Sequence, residues 1–456
     1  MGSNPLDLII KGDLVLPNDV AANASVGVKD GVIVGLYQNG DVPPATKTID
    51  ATGSYVFPGM VDAHVHSYSL PKETFDHATP AAAAGGVTTI IEMPYDRIGK
   101  VCTEQLFEEK IERVNTRARV DVALLGTIEK EGKLKNVAPL VRKGACGFKL
   151  SVTEADPVRF PRIDDDVLYE ALQEIGSHGV PVGFHAENDP ILTHLIKKFR
   201  NEGKTDPKAH CDSRPPITET LSVLKLLEMA YWIDVELHLY HISHPRSIQL
   251  IEMYKEWGVD VTVETCPHYL LLNYDDMDRL KAFAKINPPM RKKEEVEAMW
   301  DLLECGYIDM VTSDHGPWAY DDKQAKNIFD NPSGAPGVET IFPLMFSECV
   351  AKRDMSPVFL AELLCENPAR RFKVFPRKGQ ISLGADADFA IIDPSIQWTI
   401  RADEMRSYAG WTPFDGVTTD CKITQTILRG ETIYDGKAVL AEPGYGEFIP
   451  AIREAQ

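Results

Sequence analysis

The chain has 456 residues, 44% of them hydrophobic and 25% charged, ordinary for a globular protein and too long for a single small core. Its 68 acidic against 48 basic residues leave a net charge of −20, which repels phosphate backbones and anionic lipid. Nucleic acid and membranes are therefore excluded as expected partners, whereas a small neutral substrate is not.

The first elements are β-like. "LDLIIKGDLVL" and "SVGVKDGVIVGLY" are short β-branched runs divided by Gly12-Asp13 and Asp30-Gly31, both read as turn signals. From Tyr55 short apolar runs alternate with longer amphipathic ones. Eight strands are predicted at Val61–His66, Val87–Glu92, Val120–Gly126, Gly147–Ser151, Val180–His185, Val235–His241, Asp260–Cys266 and Ile308–Asp314. Between and after them "TEQLFEEKIERVNTRA", "DDDVLYEALQEIGSH", "ITETLSVLKLLEMAYW", "RSIQLIEMYKEWG", "KKEEVEAMWDLLECG" and "VETIFPLMFSECVAKR" read as helices. Strands alternating with helices imply a parallel sheet, and eight such units fit a closed (β/α)8 TIM barrel over residues 55–372. After Phe372 the β character returns in "DADFAIIDP", "QWTI" and "ITQTILRGETIYDG". The expectation is a small β-sandwich domain built from both termini, 1–54 and 373–441, with an extended tail over 442–456. The eight cysteines form no C-x-x-C pair, and no signal-like or bilayer-length apolar run is present. Reduced thiols and a cytoplasmic location are expected.

In a parallel barrel the active-site residues sit at the C-terminal ends of the strands. Here the first predicted strand ends in His64 and His66, the fourth carries Lys149, the fifth ends in His185, the sixth in His241 and the eighth in Asp314. A lone histidine at a strand end is usually a hydrogen-bonded polar residue. His64 and His66 differ because positions i and i+2 of a strand share a face. Two imidazoles aimed into an aliphatic barrel need a polar partner, and a divalent cation is the simplest. Lys149, in "GACGFKLSV", reads either as an ion-paired lysine or as an amine to which CO2 has added. The resulting carbamate would be an anionic ligand able to bridge two metals, with a hydroxide between the ions.

This set resembles the amidohydrolase superfamily, in the branch that holds dihydroorotases, allantoinases and hydantoinases or dihydropyrimidinases. The stretches that carry the resemblance are "FPGMVDAHVH", "GGVTTIIEMP", "GFKLS", "HAEN", "LHLYHIS", "ETCPHYL", "INPPMR", "VTSDHGP", "PSGAPGVET" and "ISLGADADFAIID", spread over nearly the whole chain. Their spacing looks most like bacterial allantoinases. The resemblance implies that His64, His66 and Asp314 bind one zinc, that His185 and His241 bind the other, and that carboxylated Lys149 bridges them. Manganese, cobalt or iron are alternatives to zinc. It implies a hydroxide-driven opening of a cyclic ureide or imide, with Asp314 as general base and then acid. Substrate contacts would fall on Asn287, Ser333 and Gly334, Asn287 being equally readable as a turn residue before Pro288. His315 would orient substrate or only pack. A homo-oligomer, most often a tetramer, is also implied.

The departures bear on the substrate. Ser67, Tyr68 and Ser69 follow the histidine pair where dihydroorotases carry an arginine, which argues against dihydroorotate. "KLSVTEADP" lacks the tyrosine that many hydantoinases carry after the metal lysine, and His244 stands where a small residue is common. Allantoin, a 5-substituted hydantoin or dihydropyrimidine, or another cyclic imide remain alternatives, and Ser67–Glu73 is expected to bear on the choice. Two rivals are a scaffold relative that has lost its metal ligands and a mononuclear deaminase of the same superfamily. The first lacks ligands that all stand here, and the second lacks the lysine.

Overall fold

The computed structural model describes residues 5–38, 42–70 and 72–453. Residues 1–4 and 39–41 of the expected 1–54 segment and 454–456 of the expected tail lie outside the described residues, as does Pro71 within the 67–73 stretch. The strands are β1 (Leu6–Val15), β2 (Val20–Lys29), β3 (Val32–Tyr37), β4 (Ala45–Pro58), β5 (Met60–Val65), β6 (Val87–Glu92), β7 (Asp121–Leu124), β8 (Phe148–Ser151), β9 (Val182–His185), β10 (Leu237–Leu239), β11 (Val261–Thr265), β12 (Met310–Val311), β13 (Phe389–Asp393), β14 (Trp398–Thr399), β15 (Thr418–Thr419), β16 (Lys422–Leu428) and β17 (Glu431–Tyr434).

Strands β5 to β12 form the barrel. β5, β6 and β7 pair in parallel, as do β8 to β12. The two arcs close through single parallel bridges, Gly126 to Phe148 on one side and Val65 to His315 on the other. β5 and β6 are buried along their whole length, because helices cover one face and other strands' side chains fill the other. The predicted helices appear at Glu104–Arg117, Asp165–Gly176, Ile217–Trp232, Pro245–Glu256 and Lys293–Glu304. Thr103 caps the first of these by accepting the Leu106 N–H. The segment after β12 runs as an α-helix over Ile341–Met345 and widens into a π-helix over Phe346–Lys352.

Both termini build the second layer. Its seven strands hydrogen-bond in the order β17-β16-β13-β4-β1-β2-β3, so the carboxy-terminal strands join the amino-terminal ones at the β13–β4 pair. Leu8, Ile10, Val26, Ile33, Phe389 and Ile391 belong to the separate apolar cluster of this sheet. Asp30 and Gly31 both take positive φ, 51° and 76°, which makes the β2–β3 hairpin turn that the Asp-Gly pair signals. Gly12-Asp13 is not a turn. It is a register shift inside the continuous strand β1, where a Cβ on Gly12 would sit 2.9 Å from Val56 Cγ2.

The extended tail is docked. Glu447 O accepts the Val122 N–H at 2.9 Å, and the Val122 carbonyl accepts the Ile449 N–H at 2.9 Å, so the segment pairs with β7. Beneath it Lys378 Nζ lies 2.5 Å from Asp121, 2.8 Å from Asp386 and 2.7 Å from Asp388, tying the barrel to the second sheet. Among the described residues, no helix is long and apolar enough to cross a membrane.

Candidate metal centre

The barrel's carboxyl ends open into a cavity of about 450 Å³. His64, His66, Lys149, His185, His241 and Asp314 all line it, brought there by β5 and the residue after it, by β8 and β9, and by the residues following β10 and β12. His64 Nε2 lies 3.3 Å from His66 Nε2, 3.2 Å from Lys149 Nζ and 3.2 Å from Asp314 Oδ1. Asp314 Oδ1 is also 3.6 Å from His66 Nε2. On the other side, His185 Nδ1 faces His241 Nε2 at 2.9 Å.

Two of these residues sit in strained backbone. His241 has φ 42° and Asp314 φ 45°, the left-handed region that non-glycine residues seldom adopt. Surrounding hydrogen bonds hold them there. The His241 N–H donates to Glu264 Oε1 at 3.1 Å. On either side of Asp314, the Ser313 N–H donates to Asp62 Oδ1 at 3.1 Å and the His315 N–H to the His64 carbonyl at 3.1 Å.

Carboxylates behind the rings fix their orientation. His64 Nδ1 is 2.6 Å from Glu264 Oε1, and His185 Nε2 is 2.9 Å from Glu187 Oε2, which also receives Arg214 Nη1 at 2.6 Å. With Glu264 and Glu187 ionised, the ring protons belong on the outer nitrogens, and His64 Nε2 and His185 Nδ1 then present lone pairs to the cavity. Burial lowers the pKa of His64, His66 and His241, keeping the imidazoles neutral. Burial also pulls Lys149 down to about 7, its Nζ lying 3.4 Å from the centre of the Tyr240 ring. Imidazole nitrogens facing one another at hydrogen-bond distance, with a carboxylate beside them, are a donor set that fits divalent metal ions.

The expected substrate residues divide. Asn287 lines the cavity, and its Oδ1 is buried without a partner among the described residues. Ser333 and Gly334 also line it, but their backbone is partly engaged. The Ser333 carbonyl accepts Trp318 Nε1 at 2.8 Å, the Gly334 N–H donates to Lys285 O at 3.0 Å, and the Gly334 carbonyl accepts Lys323 Nζ at 2.6 Å. His315 does not line the cavity. It is buried behind it, Nε2 3.2 Å from Glu73 Oε1 and Nδ1 accepting the Gly337 N–H at 3.1 Å, so of its two readings the packing one matches this position. His244 likewise lies away from the site, where Nδ1 caps the helix Pro245–Glu256 and Nε2 meets Glu295 at 3.1 Å.

The described residues of the 67–73 stretch turn mostly inward. Ser67 Oγ donates to Glu92 at 2.7 Å, and Glu73 accepts Ser407 Oγ at 3.0 Å and the Tyr408 N–H at 2.8 Å. Of this stretch Ser69 lines the cavity, its Oγ 3.0 Å from His66 Nδ1. The sequence reading passes over Glu264 and Glu187, which orient the histidines, and over Tyr95, Arg97, Arg159, Phe160 and Trp318, which wall the cavity. A carboxylate inside the apolar run "VTVETC" is the one signal that points to Glu264.

The family model described as "Amidohydrolase family" matches residues 55–433. An allantoinase of Rubrobacter xylanophilus is 37% identical over 454 residues, covering 98% of both chains. An L-hydantoinase of Paenarthrobacter aurescens is 34% identical, over 97% of this chain and 98% of its own. Among solved structures, an L-hydantoinase (dihydropyrimidinase) from Arthrobacter aurescens superposes with a TM-score of 0.94 at 34% identity, over 98% of this chain and all of that one.

Proposed function

The chain belongs to the amidohydrolase family, and on that premise we propose that it hydrolyses the carbon–nitrogen bond of a cyclic amide, opening a cyclic ureide or imide ring as allantoinases do. The observation that carries the reading is the convergence of four imidazoles, Lys149 and Asp314 on one cavity at the barrel's carboxyl end.

His64, His66 and Asp314 would hold one divalent ion, zinc by default, and His185 and His241 a second. Lys149 would join both as a carbamate. Its buried amine, with a pKa near 7, is available as the neutral nucleophile that adds to CO2 and releases one proton. When bound, the ions supply Lewis-acid polarisation of the ring carbonyl and make water acidic enough to attack near neutral pH. Asp314, through the oxygen not turned to the histidines, takes the proton of the attacking water and returns it to the leaving ring nitrogen. Asn287 Oδ1 accepts a ring N–H, and Ser333 and Gly334 border the ring's far edge. Glu264 and Glu187 hold the His64 and His185 rings in the ligand tautomer throughout.

A second reading, a 5-substituted hydantoin or dihydropyrimidine as substrate, is favoured by the 0.94 TM-score to the L-hydantoinase structure. A homotetramer acting in the cytoplasm completes the proposal. The exposed rings of Tyr231, Trp232 and Trp257 support a subunit interface. The test is a ring-opening screen of protein loaded with zinc and bicarbonate against allantoin, 5-substituted hydantoins, dihydrouracil, dihydroorotate and cyclic imides. Opening of the first two groups is expected, and preference for dihydroorotate would refute the substrate reading.

A further inference from the structure

One side of the cavity is cationic in a protein whose net charge is −20. Arg97 follows β6 and Arg159 lies in the segment after β8. Nearby in the chain, Tyr95 and Phe160 stack with ring centres 3.8 Å apart, which brings the two segments together. Both guanidiniums reach the same atom. Arg97 Nε donates to the Ser69 carbonyl at 3.1 Å, and Arg159 Nη1 donates to it at 3.4 Å. Arg159 Nη1 also lies 3.4 Å from the Tyr95 carbonyl.

The acids nearby are largely committed to other groups, and of them only Asp156 reaches one of the two arginines. Glu154 accepts Lys130 Nζ at 3.0 Å and the Arg162 N–H at 2.9 Å. Asp156 Oδ1 accepts the N–H groups of Val158 and Arg159 at 3.0 and 2.9 Å, and its Oδ2 stands 3.6 Å from Arg159 Nε, long for a charge-assisted bond. Arg214, the third guanidinium of the cavity, is neutralised by Glu187. Arg97 makes no ion pair among the described residues, its guanidinium carbon lying 5.5 Å from the centre of the Trp318 ring. The shared Ser69 carbonyl is neutral and Asp156 faces Arg159 alone, at long range, so Arg97 is left without an anionic partner among the described residues, and the repulsion between the two guanidiniums falls when an anion joins them. Guanidinium forks match a carboxylate in shape as well as charge.

We propose that the ring opened in this cavity bears an acidic arm, a carboxylate on a ring-carbon substituent, which Arg97 and Arg159 bind together. The proposal rests on the hydrolase reading and narrows its substrate. Arg97 and Arg159 then set specificity, and the bond-breaking chemistry remains with the groups at the cavity floor.

The test compares hydantoin-5-propionic acid with its primary amide, two rings of nearly one shape that differ by one charge. Wild type should open the acid with kcat/KM roughly tenfold or more above the amide, and Arg97→Gln and Arg159→Gln should each shrink that ratio by about tenfold. Salt should narrow the wild-type ratio, because the contact is partly open to solvent. Calorimetric binding of the same two compounds to wild type and both variants separates this proposal from the hydrolase reading. Acid-selective binding without ring opening would support the arginine assignment and count against the hydrolase. Equal binding and equal turnover of acid and amide, or a ratio untouched by both substitutions, would overturn the assignment whatever rings are opened.

Discussion

His64 Nδ1 lies 2.6 Å from Glu264 Oε1, and both side chains are sealed from solvent. The same oxygen accepts the His241 N–H at 3.1 Å, so one carboxylate on β11 orients the ring of one candidate ligand and the strained backbone of another. The barrel thereby couples the two halves of the proposed centre through a buried residue that does not line the cavity.

Glu264→Gln should leave the fold intact and weaken metal binding by about 10- to 100-fold, the usual cost of losing the partner behind a ligand histidine. Metal content after graded chelation, read beside the melting temperature, checks this. Unchanged metal affinity would show that Glu264 serves packing alone.

Gly183 on β9 has no room for a side chain. A Cβ there would lie 2.0 Å from Tyr240 Cε2, and Tyr240 in turn supports Lys149. Gly183→Ala should destabilise the protein by about 1–3 kcal/mol through overpacking and reduce metal content by displacing Lys149. Urea unfolding gives the first quantity and elemental analysis the second. A variant as stable and as metal-rich as wild type would mean that Tyr240 can move freely.

Lys285 anchors the 329–334 segment beside the cavity through the Asn331 and Phe329 carbonyls. Burial, then Arg214 and Arg200, lower its pKa from 10.5 to about 7. Between those values the unfolded chain holds a proton that the folded chain does not, so this group's stability contribution rises with pH over that window. Wild type should gain up to about 2–3 kcal/mol on Lys285→Met between pH 7 and pH 9. Urea midpoints of both proteins at the two pH values test the sign. A difference independent of pH would place the Lys285 titration outside this range.

Much of the barrel was legible because its strands are apolar runs that end in polar groups, as "VDAHVH" and "VGFH" do. The helix Thr74–Ala84 was not. It is buried on nearly every side, built of alanines around Pro80, and shows no amphipathic period to read. The helix Asp189–Asn201 is periodic, but a pattern of one helix for each strand leaves it no place. At the site, residues on strand ends were accessible to sequence reasoning because strand geometry fixes where they point. Glu264 joins His64 across 200 residues, and Arg97 meets Arg159 at the Ser69 carbonyl, beside the Tyr95–Phe160 stack. Such pairings depend on barrel closure and loop packing, which no local pattern encodes. Gly12-Asp13 gave the opposite lesson, since a turn signal was absorbed into a strand as a register shift.

Ring opening of allantoin and hydantoin-5-propionic acid should be followed with zinc- and bicarbonate-loaded wild type and Asp314→Asn side by side. Wild type should steadily form the ring-opened ureido acid, and the variant should lose at least about 100-fold in kcat with the metal retained, the range expected for removing a general acid–base group. Equal rates in the two proteins, or no ring opened by wild type carrying its full metal complement, would contradict it.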